Sequence, residues 1–207
     1  LDDTIRWLKP RLERERPHLL FIGSMTLSFP GAIEIAKTAK SILGDDVIIA
    51  LGGKHTNETH FVEDGELALH DGSPLKLMRD GKIDEVFDFV LSGDGEEVIR
   101  EFGEIIGSML SEGLPLINIK RDPSLFERFR NARGEWVLGW TVDREIQYIE
   151  SNGEYINYDE MPVPAALFTI DSAFSVFDAD LTAHTYSDTS KGCIYSCSFC
   201  SEGQAIN

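Results

Sequence analysis

Cysteine is almost missing from this chain: three residues in 207, at Cys193, Cys197 and Cys200, with none elsewhere. An odd count and the lack of any apolar leader segment near the N-terminus argue against a disulfide framework. Basic residues are scarce too, 19 against 36 acidic, for a net charge of −17. A polyanion would be repelled by that field, so a broad nucleic-acid surface is not expected. No stretch approaches the ~20 consecutive apolar residues that a membrane helix requires, so no membrane partner is expected. The remaining composition is that of an ordinary globular protein, with 42% hydrophobic and 27% charged residues.

What is present is concentrated near the C-terminus. The three cysteines are spaced C-x3-C-x2-C inside Lys191-Gly-Cys193-Ile-Tyr-Ser-Cys197-Ser-Phe-Cys200-Ser-Glu-Gly203. Three thiolates on one short loop can each ligate a different iron of a 4Fe–4S cluster and leave the fourth iron open. Gly192 and Gly203 flank the loop and permit tight bends. Zinc held by the cysteines with His184 is the competing metal reading. Zinc sites usually split their ligands into two separated pairs, whereas this trio is one compact group.

C-x3-C-x-aromatic-C, with Phe199 in the aromatic slot, resembles the cluster loop of radical S-adenosylmethionine enzymes. The resemblance implies that Cys193, Cys197 and Cys200 are iron ligands and that Phe199 packs beside the nucleoside of S-adenosylmethionine. It implies an electron donor such as a flavodoxin or ferredoxin, and a reducing, cytoplasmic setting.

The first two thirds of the chain alternate short apolar runs with amphipathic stretches. Thr4 to Arg16 reads as a lead-in helix that Pro10 would kink or shorten. Strands are expected at 18–22, 47–51 and 86–91, and helices at 30–43 and 96–110. Residues 57–85 carry three Asp-Gly turn signals and read as a hairpin or irregular insertion, with 67–69 against 75–77. A fourth strand is expected at 116–119. Residues 131–140 suggest a hairpin, and 145–158 another strand pair. Trp136 and Trp140 read as packing residues. This rhythm predicts an α/β fold, a doubly wound parallel sheet of flavodoxin or Rossmann type.

Ligands of such sheets bind beyond the carboxyl ends of the strands. Three loops should share that rim: Gly23-Ser-Met-Thr26, Gly52-Gly-Lys-His-Thr56 and Ser92-Gly-Asp-Gly-Glu96. A strand ending in GGKHT, a later one in SGDGEE and a C-terminal cluster loop resemble the cobalamin-binding radical S-adenosylmethionine enzymes. That likeness implies cobalamin lined by Ser24, Met25, Thr26, Gly53, His55, Thr56, Gly93, Asp94, Gly95 and Glu96. The D-x-H-x-x-G motif of other cobalamin proteins is absent, so no histidine is assigned beneath the cobalt. His55 can equally be a polar loop residue bonded to its neighbours, and Gly93 to Glu96 a tight turn with a helix cap.

The expected division is a cobalamin-binding domain over 1–160, a proline-bearing linker over 161–180, and the opening strand and cluster loop of a radical barrel over 181–207. Such a barrel needs several more strand–helix units, so the chain is expected to be the N-terminal portion of a longer enzyme, and the resemblance implies methyl transfer or related radical chemistry. Two other functions stay open: a cobalamin carrier or sensor without catalysis, and a zinc-stabilised adaptor.

Overall fold

A computed structural model describes residues 1–156 apart from Pro123 and Arg130, with Leu125 and Phe126 described by backbone alone. The described residues belong to one compact unit, Leu1–Ile156. The linker and the radical-barrel segment expected from the sequence lie outside the described residues.

The described unit is α/β. In chain order its elements are helix α1 (Asp2–Glu15), strand β1 (Leu19–Gly23), helix α2 (Phe29–Leu43), strand β2 (Ile48–Gly52), helix α3 (Lys54–Thr59), strands β3 (His60–Glu63) and β4 (Glu66–Leu69), helix α4 (Pro74–Arg79), strand β5 (Phe89–Gly93), helix α5 (Glu96–Ser111), helix α6 (Leu125–Phe129) and strands β6 (Trp136–Val142) and β7 (Glu145–Glu150). Five strands form one sheet in the order β1-β2-β5-β6-β7, and β3 and β4 make a separate hairpin. β1, β2 and β5 are parallel, whereas β6 and β7 are antiparallel.

The sheet is therefore mixed, compatible with a Rossmann-like arrangement, and the parallel pairing expected from the sequence is confined to three strands. β5 and β6 are joined by α5 and then a 3-10 segment and α6, which return the chain to the same edge. β6 must then run back antiparallel. The order does not reverse anywhere among the described strands, so they contain no switch point between parallel neighbours.

Alternation along the parallel strands builds two cores. In β2, Ile48 and Ala50 face one layer while Ile49 and Leu51 face the other, all almost fully buried. A continuous apolar run is what a strand covered on both faces requires. Right-handed crossovers made twice in one direction lay both connections on one face. Ala36 and Ala39 of α2 and Leu75 and Met78 of α4 accordingly share a core with Ile49 and Leu51. The opposite core is covered by α5, whose Val98, Phe102, Ile105, Ile106 and Met109 are all buried. Each such side chain contributes about 1.5–3 kcal/mol by leaving water.

Several local expectations are corrected. Pro10 lies inside α1, which nonetheless continues to Glu15. The hairpin of the insertion pairs 60–63 with 66–69 around Asp64-Gly65, both of positive φ, and 74–79 is helical. Pro74 suits a first helical turn, and Leu75 and Met78 are buried three residues apart, a helical spacing. Residues 116–121 form a 3-10 helix in place of a strand, because Leu116 and Ile119 are the buried pair. After Asp143-Arg144, a turn with both φ positive, residues 145–150 supply one strand, paired with β6. Trp136 and Trp140 are packing residues, their indole nitrogens donating to the Ala132 and Lys120 carbonyls at 3.0 Å each.

Candidate functional site

Parallel strands end at a common edge. Gly23 pairs with Gly52 in register, and β5 ends at Gly93, so the three predicted loops do share one rim. β6 begins there as well, with Trp136 opposite Gly93. β7 ends there, and Gly134 donates to the Glu154 carbonyl at 2.7 Å. Reading in order along the chain did not anticipate the 133–135 segment as part of this edge.

The predicted residues separate into two groups. Met25, Thr26, Gly53, Gly93 and Glu96 are exposed, and Asp94 and Gly95 are partly so. Ser24, His55 and Thr56 are buried, with their polar atoms bonded inside the protein. The Ser24 hydroxyl donates to the Met25 carbonyl at 3.0 Å. The Thr56 hydroxyl lies 2.7 Å from the Gly53 carbonyl and 2.6 Å from that of Leu91, joining α3 to the end of β5. His55 stacks on Phe29, ring centroids 4.2 Å apart, and places Nδ1 3.2 Å from Thr26 Oγ1 and Nε2 3.1 Å from the Gly72 carbonyl. Both ring nitrogens are occupied, so this arrangement does not fit a lower ligand to cobalt. Burial holds its pKa below the ordinary histidine value, opposed by the Gly72 carbonyl and by Glu58.

Glycine is required at two of these positions, and its neighbour there is the protein's own backbone. Gly53 has φ +97°, and a Cβ would lie 2.7 Å from Ser24 N and 2.9 Å from Ser24 O. At Gly93, φ +84°, a Cβ would collide with the Glu135 carbonyl oxygen. Asp94 completes that contact: its amide donates to the Glu135 carbonyl at 2.8 Å, and its carboxylate accepts from the Glu135 amide at 3.1 Å.

Three further residues organise the rim. Asn57 accepts a hydrogen bond from the Gly93 amide at 2.9 Å. Glu58 accepts from the Thr26 hydroxyl at 3.1 Å. Glu97 grips Arg133 through Nε at 2.7 Å, Nη2 at 2.6 Å and the backbone amide at 2.8 Å. Arg133 beside it holds the Glu97 carboxyl below its usual range. Asn57 and Glu58 continue the short helix opened by GGKHT, so helical spacing could have found them. The 36-residue separation of Glu97 and Arg133 leaves no local signal.

The rim also carries apolar surface. Met25 is 66% exposed and Leu27, in the same loop, is 97% exposed. The exposed surface of the rim thus joins glycine-bearing loops to two apolar side chains, while the amides of Ser24, Met25, His55, Thr56, Gly93 and Asp94 are bonded within the protein. Cys193, Cys197, Cys200 and Phe199 lie outside the described residues. Among the described residues no group of three His, Cys, Asp or Glu side chains is placed to hold a metal ion. No helix among them is long and apolar enough to cross a membrane. Comparison with known proteins finds no match: no family model, no curated protein and no solved structure matches the chain.

Proposed function

We propose that the chain is the N-terminal portion of a cobalamin-dependent radical S-adenosylmethionine enzyme, with a flavodoxin-like domain binding cobalamin at the rim. The observation that supports this most is the convergence of three loops from three parallel strands on one edge, with Met25 and Leu27 exposed beside them. The C-x3-C-x2-C spacing adds a 4Fe–4S cluster on Cys193, Cys197 and Cys200, with Phe199 beside S-adenosylmethionine. When bound, cobalamin would supply or accept a methyl group, and S-adenosylmethionine at the open iron would supply the radical that abstracts a substrate hydrogen. The chain's own part at the rim is to present the exposed edge of the glycine-bearing loops and apolar contact from Met25 and Leu27. Reduction requires a donor such as a flavodoxin or ferredoxin, in a cytoplasmic, reducing setting.

Metal analysis of the anaerobically purified and reconstituted chain tests the reading. Iron near four per chain, abolished in Cys197→Ala, is expected of a cubane cluster. Cobalt retained after incubation with aquacobalamin is expected of the rim. Full iron in Cys197→Ala overturns the cluster. Zinc alone points to a stabilised adaptor, and cobalt without iron to a carrier or sensor.

A further inference from the structure

We propose that His55, Thr26 and Glu58 form a proton-linked latch that sets the position of the Met25–Ser28 loop, with His55 a positioning residue for whatever binds the rim. The consequence for binding rests on the cobalamin reading above; the latch itself rests on geometry.

Nε2 of His55 faces the Gly72 carbonyl at 3.1 Å, and a carbonyl only accepts, so Nε2 carries a hydrogen. Nδ1 faces the Thr26 hydroxyl at 3.2 Å, and that hydroxyl also faces the Glu58 carboxylate at 3.1 Å. In the neutral imidazole Nδ1 is bare. Thr26 then has one proton for two acceptors, and one of the two contacts is unmade. In the imidazolium, Nδ1–H donates to Thr26 and Thr26 donates to Glu58. Every contact of the chain from Gly72 to Glu58 is then a hydrogen bond. Proton uptake by a buried imidazole is thus coupled to closing the tie between α3 and the loop.

The loop has little else to hold it toward α3 beyond Thr26. Its internal bonds are the Met25 amide to Ser28 Oγ at 3.0 Å, the Ser28 amide and hydroxyl to the Met25 carbonyl at 2.9 and 3.0 Å, and the Ser24 hydroxyl to that same carbonyl at 3.0 Å. Its root is held by the His55 amide donating to the Ser24 carbonyl at 2.9 Å. Thr26 sits between Met25 and Leu27, the two exposed apolar side chains, so the latch governs where both point. The surrounding charges leave Glu58 as the carboxylate on this path. α2 packs on His55 through the uncharged Phe29. Near Gly72, Asp71 is bonded to Lys76 at 2.6 Å and His70 meets Phe61 edge-on. Lys54 precedes His55 on α3.

Two readouts on the full chain separate the latch from the cobalamin reading. The first is hydrogen-exchange protection of the Met25 and Ser28 amides, followed from neutral pH to about pH 5, through and below the ordinary histidine range. Protection should rise about two- to ten-fold on the acid side, the worth of one added hydrogen bond, and the rise should vanish in His55→Gln and in Thr26→Val. Thr26→Val leaves His55 in place, so it keeps the test available if His55→Gln does not fold. Protection independent of pH in the unaltered chain, or an acid rise that persists in Thr26→Val, overturns the latch. The second is aquacobalamin affinity over the same range, expected to strengthen toward acid by a similar factor. Binding with no pH dependence overturns the link between latch and rim. No binding at any pH overturns the cobalamin reading and leaves the latch to be decided by the exchange data.

Discussion

Gly53→Ala should be among the most damaging single-methyl additions in the described unit. Its backbone, φ +97° and ψ −171°, lies where residues with a Cβ rarely go, and occupying that region costs about 1–3 kcal/mol. The added carbon would also sit 2.7 Å from Ser24 N and 2.9 Å from Ser24 O, both backbone atoms. Relieving that overlap separates β1's exit from α3 and weakens two hydrogen bonds, Ser24 N to the Gly52 carbonyl and His55 N to the Ser24 carbonyl. At about 0.5–1.5 kcal/mol each, the total loss is about 2–6 kcal/mol. For a unit of this size that lowers the melting midpoint by roughly 5–20 °C, at about 2–4 °C per kcal/mol. Gly103→Ala is the control. Gly103 is exposed in the interior of α5 with nothing within 4 Å of the added carbon, so alanine there should stabilise by up to about 1 kcal/mol. Thermal or urea unfolding of the two variants should move in opposite directions. An unchanged midpoint in Gly53→Ala would refute the claim that this glycine exists for close backbone approach.

Acid should weaken the fold through His60. Its ring is wholly buried with no hydrogen-bond partner on either nitrogen among the described residues, and burial pushes its pKa down to about 4. The unfolded chain takes up a proton near pH 6.5 while the folded one does not. Stability is therefore full above about pH 6.5 and falls as pH drops toward 4, by about 3 kcal/mol at most. Urea midpoints at pH 7 and pH 5 should show the decline, and His60→Leu should reduce it. Glu97→Gln removes the carboxylate charge that grips Arg133 and should cost about 1–3 kcal/mol, read by chemical denaturation. Because the Glu97 pKa is depressed, that contribution is present above the ordinary carboxylate range and disappears in stronger acid. Thr56→Val strips the hydroxyl shared by the Gly53 and Leu91 carbonyls and should cost about 1–3 kcal/mol; Thr56→Ser should recover most of it.

Much of this architecture was legible in the order of residues. The parallel strands declared themselves as short apolar runs because both faces of each are covered. The glycines that end them marked the rim, since tight exits from a sheet need them. α5 was readable from its stripe, whose 3.6-residue period is a property of the helix alone. The 116–119 run misled because four residues do not distinguish a strand's period of two from a 3-10 helix's period of three. The 67–77 pairing misled because three Asp-Gly turns compete, and only packing of Leu75 and Met78 into the core selects the first as the hairpin.

Local patterning, set by the hydrophobic effect and backbone sterics within about ten residues, determined the three parallel strands, the two long helices that follow β1 and β5, the shared rim and the compact cysteine trio. Tertiary structure alone decided that β6 runs antiparallel beside β5 and that Glu135 fills the space a side chain at Gly93 would need. It also decided that His55 faces Thr26 and Gly72 from within. Those outcomes depend on contacts between residues 17 to 49 positions apart, which are set by closing the sheet and packing both its faces and leave no trace in any short window of sequence.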